Sequence, residues 1–113
     1  MESVHQQETG EERQHAEAWQ YFRKSTPSYK RYSKKLEGAT KDTGTYIAVK
    51  EVLRTIEVNI PIDLAMSKAT EDITRWINTL AESSLPIDAR EYFEETIAVW
   101  RDFINWMVGR KDY

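Results

Sequence analysis

The sequence predicts an all-α fold, a bundle of four to five helices joined by short loops. Three observations predict it. Apolar residues recur three and four apart in one segment after another, and capping residues, prolines and glycines bound those segments. The third is length: 113 residues suit one domain with one modest core. Hydrophobic content of 40% with 12% aromatics provides that core and separates the chain from wholly disordered ones.

Residues 1–9 are polar and featureless and are expected to form a flexible tail, leaving 10–113 as a single helical-bundle domain. Thr9 and Glu12 have capping-box spacing, so a helix is expected over 10–24 with Ala16, Trp19 and Phe22 toward the core. The next stretch, "STPSYKRYSKKLEG", offers Thr26 as cap, Pro27 at the first helical position and Gly38 as a left-handed stop. A helix over 27–37 places Tyr29, Tyr32 and Leu36 on one face. The pairs Lys30/Lys34 and Arg31/Lys35 lie on the other.

Beyond "GATKDTG", Tyr46, Val49, Leu53, Ile56 and Ile60 keep helical spacing over 43–60, although β-branched residues weaken the propensity there. Pro61 ends that segment, and Asp63 is expected to cap a helix over 63–82. Its stripe is Met66, Ala69, Ile73, Trp76, Ile77 and Leu80. "SSLP" breaks the chain once more. Asp88 is expected to cap a last helix over 88–108, with Glu91 completing a capping box and Ile87 stapled to Tyr92. Gly109 stops it, and the charges of Arg110 and Lys111 suit a helix C-terminus.

Two segments, "IPIDLAMSKATEDITRWI" and "LPIDAREYFEETIAVWR", share a Pro-Ile-Asp start, read here as two helices solving one capping problem. The stretch "TIEVNIPIDLA" locally resembles the strand-to-helix passage of ribbon-helix-helix DNA-binding dimers. Two downstream helices of about twenty residues, roughly 30 Å each, are long for that small fold, so the bundle is preferred.

Most chemistry is excluded. The chain has no cysteine, hence no disulfide, thiolate zinc site or thiol nucleophile. No apolar run approaches a membrane span and no signal-peptide pattern opens the sequence, so a cytoplasmic location without membrane contact is expected. Glu12 and His15 have the spacing of a di-iron ligand pair, which Glu2 and His5 repeat only in the polar tail, so a solvated surface pair is the expected reading. Glu91, Glu94 and Glu95 suit the start of a helix, where the macrodipole favours negative charge. The glycines stand apart at 10, 38, 44 and 109 and form no phosphate loop. The expectation is a non-enzyme with no cofactor, no metal and no small-molecule substrate.

Two features survive. Between Arg23 and Lys41 seven cations face Glu37 alone, a segment of +6 in a chain of −3, which leaves −9 elsewhere. Either acidic faces of the same bundle and solvent neutralise this block, or it meets an external anion. In the second case Lys24, Lys30, Arg31, Lys34, Lys35 and Lys41 contact phosphates. Tyr29 and Tyr32 then support the helix from beneath, or Tyr32 stacks on a base.

The other feature is the last helix, whose apolar residues cover an arc of roughly 200°, about double what one buried face requires. Either this helix is central in the bundle, or Val99, Phe103 and Trp106 form an interface for a partner or another copy. Together these give an expected function: a non-catalytic, nucleic-acid-associated helical subunit of a larger (ribonucleo)protein assembly. It would hold the backbone without reading sequence, as small helical subunits of CRISPR-type surveillance complexes do. The alternative is a protein-binding module, an adaptor, inhibitor or antitoxin, using the basic and Trp-rich helices against a protein partner.

Overall fold

A computed structural model describes residues 21–82 and 84–113, and no strand occurs among them. Residues 21–24 are helical, and four helices follow: α1 (Pro27–Glu37), α2 (Gly44–Glu57), α3 (Ile62–Leu80) and α4 (Ile87–Met107). The protein is an all-α bundle. The expected tail, most of the expected 10–24 helix and the Glu12–His15 pair lie outside the described residues.

Local chemistry accounts for the helix ends. Thr26 caps α1 by accepting from Tyr29 N at 3.2 Å, and Thr43 caps α2 by accepting from Tyr46 N at 3.2 Å. Two expected C-terminal ends differ. Gly38 is right-handed at φ −86°, and the left-handed residue of that connection is Asp42 at φ 67°. α2 stops at Glu57, short of residue 60, because Asn59 turns left-handed at φ 57°. Ile60 N then donates to Thr55 O and Asn59 N to Ile56 O, a Schellman closure in which asparagine replaces the usual glycine.

Asp63 and Asp88 are first-turn acids and not caps. The N-cap positions belong to Pro61 and Pro86, both extended, neither with a side-chain cap bond. The shared Pro-Ile-Asp motif thus produces one geometry twice, with the aspartate placed to favour the positive end of the macrodipole. Ile87 is 71% exposed and forms no staple. Instead, Arg90 ties the start of α4 to the end of α3, its Nη1 and Nη2 donating to Leu80 O (2.9 Å) and Glu82 O (2.6 Å).

α4 is the central helix. It packs along α2 and α3, while α1 lies against α2 and reaches α4 through its side chains. Ser28 sits at Met107 and Trp106 and Tyr32 at Asp102, so α1 runs antiparallel to α4. Tyr29 meets Glu57, making α1 antiparallel to α2 as well. The parallel pair α2 and α4 is therefore in direct contact at the middle of the bundle. The core joins Tyr32, Val49, Val52, Ile56, Ile73, Trp100, Phe103 and Met107, closed at one end by Tyr113, whose hydroxyl donates to Ile60 O. Val49, Leu53 and Ile56 of the expected α2 face are buried. Of the expected α3 stripe, Ala69 and Ile73 are buried, whereas Ile77 is 42% exposed.

The parallel contact depends on Gly44. A Cβ there would lie 2.3 Å from the Tyr92 carbonyl oxygen and 3.0 Å from Thr96 Oγ1. The Gly44 N–H donates to Glu95 Oε2 at 2.9 Å, so a carboxylate of α4 meets the N-terminus of α2. Gly44→Ala is expected to push the two central helices apart and cost about 1–3 kcal/mol, read from urea unfolding. An unchanged midpoint would show that this approach is not tight.

Candidate anion-binding site

Folding divides the basic block into engaged and free cations. Arg23 is buried, its Nε donating to Ile56 O at 3.1 Å and its guanidinium 5.1 Å from the Tyr113 ring centre. Lys24 Nζ lies 3.8 Å from Glu57 Oε1, which also accepts from Tyr29 OH at 2.9 Å. Asp102, one turn before Trp106 on α4, gathers three groups of α1. Arg31 Nη2 donates to Oδ1 and Tyr32 OH to Oδ2, both at 2.8 Å, and Lys35 Nζ stands 3.9 Å away. Lys30, Lys34 and Lys41 are exposed and have no carboxylate partner among the described residues.

The electrostatics follow from this arrangement. Burial pushes the Tyr32 hydroxyl well above its usual range, and the neighbouring Asp102 carboxylate pushes it further, so it stays a donor. Tyr29 is raised the same way, by burial and then by Glu57. For Arg31, burial works against the charge, but the bond to Asp102 more than offsets it and the guanidinium is held more firmly protonated. Its charge-assisted contact is short, yet both side chains are about a third exposed, so solvent screens part of its strength.

Several expected site residues are corrected by their burial. Tyr32 is 0% exposed, so it stacks on no base and instead supports α1 from beneath, its ring 6.0 Å from Phe103. Phe103 is 0% exposed and Val99 9%, so neither offers an interface, and the wide apolar arc of α4 reflects a helix with neighbours on several sides. Trp106 is half-buried and engaged: its Nε1 donates to Ser28 Oγ at 2.7 Å. Two guanidiniums stand over its ring, Arg31 at 4.5 Å and Arg110 at 4.4 Å from the centre. The indole thus carries a cation from α1 and one from beyond α4.

Arg110 is the residue that sequence reasoning missed at this site. Its position suggests a helix-terminus charge, and the signal that would have found it is Gly109. Val108 at φ −57°, ψ 122° and Gly109 at φ 79° form a type II turn closed by Arg110 N donating to Met107 O at 2.9 Å. That turn folds Arg110 back onto Trp106. Arg31, Lys34 and Lys35 line one shallow hollow of about 450 Å³, and Arg31 shares Trp106 with Arg110, so the cations continue along the α1–α4 seam.

No helix among the described residues is long and apolar enough to cross a membrane. Compared with protein-family models, curated proteins and solved structures, the chain matches none.

Proposed function

We propose that the protein is a non-catalytic helical subunit of a larger (ribonucleo)protein assembly in the cytoplasm, contacting the phosphate backbone of a nucleic acid without reading sequence. The observation that carries this reading is the exposure of Lys30 and Lys34, one turn apart on the outer side of α1, without a carboxylate partner among the described residues. Like charges at this spacing repel by a few tenths of a kcal/mol, which an external anion relieves. Lys41 adds a further free cation beyond α1, and Lys35 adds one that leans on Asp102. With Arg31 engaged and Tyr32 buried, the contacts are fewer and purely electrostatic, so affinity is weak in isolation and the assembly supplies the rest.

Fluorescence anisotropy with labelled single-stranded and duplex oligonucleotides across a salt series tests this. Binding should weaken with salt, with a slope of about −0.9 per phosphate contact for duplex and about −0.7 for a single strand. Lys30→Glu with Lys34→Glu should abolish it while leaving the helical circular dichroism intact. Unchanged binding in that double variant removes the site, and a wild type that binds neither oligonucleotide removes the function.

The protein-binding reading has one observation of its own, a groove of about 640 Å³ between α1 and α2 lined by Tyr29, Leu36, Tyr46, Ile47 and Leu53. Its rim mixes Lys50 and Arg54 with Glu51 and Glu57, so it specifies no partner charge.

A further inference from the structure

We infer that Arg110 is the residue through which this face fixes an individual phosphodiester, a role resting on the backbone-contacting function proposed above. Four structural facts converge on it. The type II turn at Val108–Gly109 sets its backbone, and its guanidinium carbon lies over the Trp106 indole, 4.4 Å from the ring centre. The indole is itself pinned by Ser28, which is 0% exposed and whose hydroxyl also reaches Met107 Sδ at 3.7 Å. Finally, Arg110 has no carboxylate partner among the described residues.

The two arginines on Trp106 differ in what they have left to give. Arg31 commits an Nη to Asp102, which offsets its charge. Among the described residues Arg110 Nε is buried without a hydrogen-bond partner, whereas its terminal nitrogens are not among the buried unpartnered atoms and make no hydrogen bond there. Those two nitrogens are the accessible end of a planar fork. A phosphodiester carries two non-bridging oxygens and one negative charge, which a guanidinium fork meets with two parallel N–H···O bonds.

Preorganisation separates this residue from the lysines. Lys30 and Lys34 are exposed on flexible stems and lose rotamer freedom on meeting a phosphate. The Arg110 side chain is already ordered by its stacking, so less freedom remains to lose. Arg110 accordingly supplies geometry, and the lysines of α1 supply field. Arg31, screened by Asp102, is the second cation held on the indole.

The test uses the full chain and a fluorescein-labelled deoxythymidine oligonucleotide of about 20 nucleotides, long enough to span one small binding surface. Arg110→Ala should weaken binding about tenfold, as loss of a charge-assisted pair requires, and should reduce the salt slope by about 0.7. Arg110→Lys should lose most of the same affinity with its salt slope unchanged, because the charge remains and the fork does not. Trp106→Phe keeps every charge, so weaker binding there with unchanged slope would support the stacked platform.

If Arg110→Lys binds like the wild type while Arg110→Ala is weakened, Arg110 is a point charge and the inference fails. If both Arg110 variants bind within about twofold of wild type while Lys30→Glu/Lys34→Glu does not bind, the inference fails and the proposed function stands. A wild type without affinity for the oligonucleotide overturns both, and an acidic protein partner then becomes the better reading.

Discussion

Phe103→Ala should cost about 3–5 kcal/mol of folding stability and leave the association state of the protein unchanged. Phe103 is 0% exposed, with its ring 5.5 Å from Trp100 and 6.0 Å from Tyr32, so truncation opens a void where α1, α2 and α4 meet. Neither neighbour collapses readily into that space. Tyr32 is anchored by Asp102, and Trp100 is itself 8% exposed within the same cluster. Urea unfolding with light scattering separates the two roles the residue could have. A core residue moves the unfolding midpoint, whereas an interface residue shifts the mass and leaves the midpoint nearly unmoved.

The width of the apolar arc on α4 is legible in the sequence, but its meaning is not. A helix packed on several sides and a helix packed on one side with a free interface display the same residues. What decides between them is the number of neighbouring helices, and spacing along one segment carries no information on that. Gly44 is similar. The sequence shows an isolated glycine in a turn, and only the crossing of α2 over α4 shows that a Cβ there would meet the Tyr92 carbonyl.

Helix existence is legible because it depends on periodicity within each segment. Helix ends are less so because alternatives compete within two residues. At Asp63 and Asp88 the preceding proline takes the N-cap position, which shifts the acid into the first turn. In the α1–α2 connection, a left-handed Asp42 makes a left-handed Gly38 unnecessary.

The basic block shows the same division. Its existence is a matter of composition, but its availability depends on where the remaining negative charge folds. Glu57 and Asp102 come from segments 28 to 71 residues away from their partners in the chain, and no local pattern links them to Tyr29 or Arg31. In the sequence Asp102 is an ordinary polar position on the last helix. In the fold it is the acid that decides how much of α1 remains basic.

Asp102→Ala should therefore act on stability and on anion binding in opposite directions. It removes the acceptor of a fully buried hydroxyl, leaving Tyr32 OH unsatisfied at a cost of about 1–3 kcal/mol, and it releases Arg31 from its ion pair. Tyr32→Phe removes the donor instead, so the double variant should cost less than the sum of the singles by about 1 kcal/mol. On the surface the change goes the other way. Arg31 and Lys35 lose the carboxylate that neutralises them, so nucleic-acid binding should tighten. The salt slope should steepen by up to about 0.9 for each additional duplex phosphate that these cations then neutralise. Measured under conditions where both proteins are fully folded, a tighter and steeper isotherm for Asp102→Ala would join Arg31 and Lys35 to the binding face. An isotherm that overlies the wild type would confine both residues to holding α1 against α4, leaving Lys30, Lys34, Lys41 and Arg110 as the cations that meet the partner.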